Sequence, residues 1–164
     1  MRRVPLIAVL AAAAALPAPA AARVQDPPPV WATVNICDTS AHPNEMGVRG
    51  SMPGLSRRTS MYMRFRVQFR RSNGRWKLLK SGPYTDSGWI RVGAGRKSDH
   101  DAGFSFSFRP PTTGGAHVLR GRVQFQWRRG AKVVESARAV TAAGHPGTVG
   151  ADPAGFSAAT CEIA

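Results

Sequence analysis

The sequence predicts a single all-β domain of short antiparallel strands, with one disulfide joining the first strand to the last. Three observations carry that expectation. Two long segments alternate apolar and polar residues with a period of two, Gly, Pro and Asn recur as turn formers between short β-prone runs, and the only two cysteines stand near the two ends. No segment keeps the 3.6-residue period of an amphipathic helix.

From the N-terminus, residues 1–22 have the three parts of a secretory signal. Arg2 and Arg3 come first, then an apolar run over residues 6–16, then a Pro/Ala stretch with small residues at the cleavage positions. The run is shorter than the roughly 20 apolar residues a membrane helix requires. Cleavage after Ala22 or Ala20 is expected, which leaves residues 23–164 as one secreted domain. No Cys follows either cleavage position and no later run is long enough to span, so free extracellular export is expected rather than an anchor.

The first two expected strands are residues 31–36 and 47–52, separated by the turn His42-Pro43-Asn44. The strongest signal follows at residues 61–70. Met61, Met63, Phe65, Val67 and Phe69 share one face there, and Tyr62, Arg64, Arg66, Gln68 and Arg70 share the other. Asn73-Gly74 then makes a hairpin turn to a strand at residues 76–79. Turn-rich Ser81-Gly82-Pro83 leads to a strand at 89–92, Gly93-Ala94-Gly95 to one at 104–108, and residues 110–115 form the next loop.

Residues 117–128 repeat the alternation, with Leu119, Val123, Phe125 and Trp127 opposed to Arg120, Arg122, Gln124, Gln126 and Arg128. A Gly130 turn and a strand at 132–140 complete a second hairpin, and a loop over 144–155 precedes a last strand at 157–163. The two long strands share a tetrapeptide, Arg66-Val67-Gln68-Phe69 and Arg122-Val123-Gln124-Phe125, which similar strand chemistry explains as well as duplication does. Roughly nine such strands in one domain favour an antiparallel β-sandwich of immunoglobulin-like kind.

Cys37 and Cys161 allow one intramolecular pairing, expected in an oxidising compartment. Closing a loop of that length restricts the unfolded chain by about 5 kcal/mol. A thiol nucleophile would need a His context, and a zinc site would need more ligands at set spacing; neither accompanies these cysteines.

Of the 23 basic residues 19 are Arg, against nine acidic residues, and loss of Arg2 and Arg3 with the signal leaves a net charge of +12. A GC-rich coding bias would enrich Arg together with Ala, Gly and Pro, so charge alone makes only a moderate case for polyanion affinity. Position makes a better one. If the two alternating strands are neighbours, Arg64, Arg66, Arg70, Arg120, Arg122 and Arg128 form a face that grips phosphates or sulfates, with Gln side chains adding hydrogen bonds and Tyr62 offering a ring. The competing reading is a soluble outer face written in Arg.

Other constellations are weaker. There is no Gly-x-Ser-x-Gly elbow, no His-Glu-x-x-His and no phosphate loop, so neither catalytic residues nor a cofactor or metal is assigned. Asp99-His100-Asp101 is the one tight group of potential ligands, and it is expected in a solvated turn. Trp127 and Trp76 are expected in the core, and Trp31 and Trp89 also favour core packing over sugar stacking.

The Arg/Ala/Gly-rich composition, the signal, the early Asn35-Ile36-Cys37-Asp38 and the late Gly155-Phe156-Ser157-Ala158-Ala159-Thr160-Cys161 resemble those of small uncharacterised secreted β proteins of actinobacteria. That resemblance implies compartment and fold but no activity. The expected function is a non-enzymatic extracellular module that binds an anionic polymer: a wall polymer, extracellular nucleic acid or an acidic polysaccharide. A secreted protease inhibitor, with its inhibitory segment in the loop at 144–155, or a small-ligand carrier is the alternative.

Overall fold

Alternation at residues 61–70 becomes a strand because only an extended chain puts all five apolar side chains on one face. In the computed structural model that strand is β3, Ser60–Arg70, and Met61, Met63, Phe65 and Val67 are wholly buried. The structure describes residues 29–56, 58–80, 85–95, 99–112 and 114–164. The expected signal peptide and the turn Ser81-Gly82-Pro83 lie outside these described residues.

Nine strands and no helix occur among the described residues: β1 Trp31–Cys37, β2 Glu45–Pro53, β3, β4 Trp76–Leu78, β5 Ile90–Ala94, β6 Asp99–Ser107, β7 His117–Arg129, β8 Lys132–Val140 and β9 Cys161–Ile163. Each falls on an expected segment. The ends differ where pairing outweighs local chemistry. β6 starts at Asp99 because Asp99, His100 and Asp101 pair with Pro53, Met52 and Ser51 of β2, so the expected polar turn is a strand.

All pairings between strands are antiparallel and form two sheets. One has the order β1-β2-β6. In the other the order is β4-β3-β7-β8, with β5 sharing the β3 edge and β9 sharing the β7 edge. The centre of this larger sheet is the β3–β7 ladder, which runs in register from Ser60↔Arg128 to Phe69↔Leu119.

The sheets face each other across one core. Ala32, Val34, Met46, Val48, Met52 and Phe106 come from the smaller sheet, and Phe65, Val123, Phe125 and Trp127 are among those from the larger. At Gly121 of β7 the sheets approach closely, because a Cβ there would lie 2.7 Å from a Val48 methyl and from the Thr141 methyl. Trp127 is fully buried and its indole N–H donates to the Pro53 carbonyl at 2.7 Å, which satisfies its one polar atom. Cys37 and Cys161 form the expected disulfide, Cα atoms 5.3 Å apart, and it joins β1 of one sheet to β9 of the other.

Residues 142–160 run along the edge of β1 that β2 leaves open. Val34 and Ala158 exchange backbone hydrogen bonds at 2.9 and 3.0 Å, the Ala142 N–H donates to Ala32, and the Asp152 N–H donates to Asn35. Buried side chains of β1 complete the attachment: Asn35 Nδ2 donates to the Gly150 carbonyl at 2.8 Å, and the Thr33 and Ser157 hydroxyls lie 2.7 Å apart. The segment is therefore a strap over the smaller sheet.

Candidate anion-binding face

The β3–β7 register decides where the Arg side chains go. Residues directly opposite in an antiparallel pair project to the same face. Arg66 stands opposite Arg122, Gln68 opposite Arg120, and Arg64 opposite Gln124, so the two long strands are the neighbours that a shared Arg face requires. All six expected residues, Arg64, Arg66, Arg70, Arg120, Arg122 and Arg128, lie on the outer face of the larger sheet. Two that the sequence reading missed join them: Arg138 of β8, opposite Gln124, and Arg91 of β5, opposite Tyr62.

The repeated tetrapeptide thus acquires a geometric meaning. About the Arg66↔Arg122 pair the ladder has a local two-fold pattern in which the Gln of each repeat faces an Arg of the other strand. On one side the pattern is completed, since Arg120 Nε donates to Gln68 Oε1 at 2.8 Å. On the other, Arg64 turns instead to Asp86, with Nε 2.7 Å from Oδ1 and Nη2 2.5 Å from Oδ2.

Asp86 makes the two halves of the face electrically different. It is held against the β3 edge by a bridge to Arg66 and by the Ser87 N–H donating to the Phe65 carbonyl at 3.0 Å. The bidentate pair with Arg64 is the main reason that the Asp86 carboxyl sits below the ordinary carboxylate range, and it raises the Arg64 guanidinium above its own. Arg66 Nε lies 3.1 Å from Asp86 Oδ2, near enough for an ion pair but not aligned as a hydrogen bond. One carboxylate therefore offsets two cations of β3.

On β7 the cations are supported without being neutralised. The Arg120 guanidinium lies over the Trp76 ring at 4.3 Å, and burial lowers its pKa, which leaves it charged at neutral pH. Arg128 lies over Tyr62 at 4.1 Å and Trp89 at 5.0 Å, and donates to Gln126 Oε1 at 2.9 and 2.6 Å. These contacts fix the planes of the guanidinia. Among the described residues no carboxylate pairs with Arg120, Arg122, Arg128 or Arg138.

Two open depressions of about 380 and 330 Å³ lie over β7 and β8 and share Arg122 and Arg138. Gln68 and Arg120 line the first, and Gln124, Gln126 and Trp89 line the second. The cations without a carboxylate are therefore at the centre of the groove.

The tryptophans and the Asp99-His100-Asp101 group lie differently from what their sequence predicts. Trp76 is half-buried on the polar face, opposite Arg70, rather than in the core. Trp31 and Trp89 are also only half-buried; Trp31 stacks on His145 at 4.2 Å, and Trp89 borders the groove. Strand alternation turns Asp99 and Asp101 outward and His100 inward, so these three side chains do not converge on one ion. The loop at 144–155 belongs to the strap, and its tip, Val149-Gly150, is a turn with Gly150 at φ 72°.

The chain matches no protein-family model, and no curated protein matches it significantly.

Proposed function

We propose that the protein is a secreted, non-enzymatic module with an immunoglobulin-like β-sandwich fold, and that its Arg-bearing sheet face binds an anionic extracellular polymer. The fold reading is supported by strand order. β1-β2-β6 corresponds to strands A-B-E of such a sandwich, and β4-β3-β7-β8 to C′-C-F-G. Export is supported by the signal-like residues 1–22 and by the disulfide, a bond that persists in oxidising compartments.

The observation that carries the binding reading is the segregation of Arg by face. Arg64, Arg66, Arg70, Arg91, Arg120, Arg122, Arg128 and Arg138 share the outer face of the larger sheet, whereas β1, β2 and β6 together contain Arg49 alone. A compositional bias enriches both outer faces; a polyanion site enriches one. Arg66 directly opposite Arg122 sets two like charges together; Asp86, 3.1 Å from Arg66, offsets the β3 member and leaves Arg122 for a ligand anion.

The test is binding of labelled teichoic acid, acidic polysaccharide and DNA from about 50 to about 500 mM salt. Affinity is expected to fall steeply with salt and to be lost when Arg64, Arg66, Arg120 and Arg122 are all changed to Ser. Binding unchanged across that range, or retained by the quadruple variant, contradicts the reading. The inhibitor alternative gains little from the strap, because an inhibitory loop presents an extended segment and the exposed tip here is a turn. Clean stoichiometric inhibition of subtilisin or trypsin would revive it.

A further inference from the structure

Hydrogen-bond polarity separates the ligands that a positive face accepts. A guanidinium only donates, whereas a Gln side chain offers one acceptor and two donors. Gln68 commits its oxygen to Arg120, and Gln126 commits its oxygen to Arg128, so each keeps its amide N–H groups for a ligand. Asp86 is turned to Arg64 and Arg66. Around Arg122 and Arg138 the groove is accordingly dominated by donors, with Gln124 and Ser136 as the side chains that keep an acceptor. Its complement is a ligand rich in acceptors, such as sulfate or phosphate oxygens and ring ethers; nucleobases, which carry donors and acceptors side by side, suit it less.

The aromatic rings point the same way. Single-stranded nucleic acid is held on a series of free rings. Here Arg128 covers Tyr62 at 4.1 Å and Arg120 covers Trp76 at 4.3 Å; Arg128 also lies over one face of Trp89, at 5.0 Å, and of these three rings Trp89 is the one that lines the groove. One indole beside a pair of cations suits a sugar ring that carries an oxyanion. The two depressions, joined through Arg122 and Arg138, offer room for consecutive units.

We infer that the groove over β7 and β8 is a site for a sulfated or phosphorylated polysaccharide, with an anionic substituent held by Arg122 and Arg138 and a sugar ring against Trp89. This rests on the anion-binding reading and names its ligand class. Arg120, with its guanidinium plane set by Trp76 and Gln68, serves the neighbouring substituent. Arg64 and Arg66, which share Asp86, contribute little.

The disulfide-bonded protein is titrated with dextran sulfate, neutral dextran, polyphosphate and single-stranded DNA at matched charge and salt. Dextran sulfate is expected to bind most tightly, with a change in Trp fluorescence that polyphosphate does not produce. Arg122→Ser with Arg138→Ser should weaken it about tenfold or more, and Arg64→Ser by less than about twofold. Trp89→Ala should lose the preference for dextran sulfate over polyphosphate; the fluorescence contrast in the unaltered protein reads the same contact if that variant does not fold. Equal binding of polyphosphate or DNA, equal fluorescence changes, or an Arg64→Ser loss matching that of the double variant overturns the glycan site and leaves the electrostatic face standing. No binding of any polyanion at low salt overturns both.

Discussion

The two sheets share one core and treat their outer faces in opposite ways. On the smaller sheet Thr33 and Asn35 are buried at 0% and 4% exposure, because residues 142–160 of the same chain lie against β1 and use their polar groups. On the larger sheet the outward residues of β3 and β7 are mostly Arg and Gln, half-buried except for the exposed Arg70, with no such cover. On β1, where the outer face serves the chain's own architecture, it carries Thr and Asn; the open outer face of β3 and β7 carries Arg, and that of β6 carries Asp99, Asp101, Ser105 and Ser107. Solubility does not demand that difference. A face with Arg66 against Arg122 is costly to assemble, and Asp86 offsets only its β3 half.

The largest change to this contrast should come from the bond between the sheets. Cys37→Ser with Cys161→Ser is expected to lower unfolding free energy by up to about 5 kcal/mol in urea titration, and to loosen β1 and β9 first. Asp86→Asn should come next. Freed from their shared carboxylate, Arg64 and Arg66 are expected to raise polyanion affinity severalfold by direct titration, at a stability cost of about 1 kcal/mol. Acid probes the same group. A carboxyl with a depressed folded pKa stabilises fully above the ordinary Asp value of about 3.9 and loses that contribution as pH falls through the folded value. The urea midpoint of the unaltered protein should therefore fall more steeply below about pH 4 than that of Asp86→Asn.

Smaller effects sharpen the difference between the faces. Thr33→Val removes the bond between the Thr33 and Ser157 hydroxyls, leaving Ser157 to accept from the His145 N–H alone, and should cost about 1 kcal/mol by thermal unfolding, with polyanion binding unchanged. Arg49→Ser removes the one Arg of β1, β2 and β6 and should leave polyanion affinity within about twofold by the same titration. A loss as large as that of Arg122→Ser would spread the site over both faces and break the contrast.

The strands were legible because their signals are local. Met61 to Phe69 and Leu119 to Trp127 alternate without interruption, and Gly74 and Gly130 occupy turns at φ 76° and 58° that a side chain would resist. The facing of short strands was not. Trp76-Lys77-Leu78 alternates equally well in either orientation, and only the pairing Arg70↔Trp76 puts the indole beside Arg120. Asp99-His100-Asp101 lacks any apolar rhythm, so its strand exists only through β2. Arg138 was visible as a strand residue, but its place in the groove depends on the β7–β8 register. Asp86 lies in a turn-rich stretch, and nothing in its neighbourhood announces that it offsets two Arg of a strand some 20 residues earlier.

The segregation of the two faces is tested most directly by following backbone amide resonances while dextran sulfate is added. Shifts confined to β3, β7 and β8, largest near Arg122 and Arg138, are the expected result, with β1, β2 and β6 unmoved. Shifts distributed over both sheets, or centred on β2 around Arg49, would contradict a site built on one face.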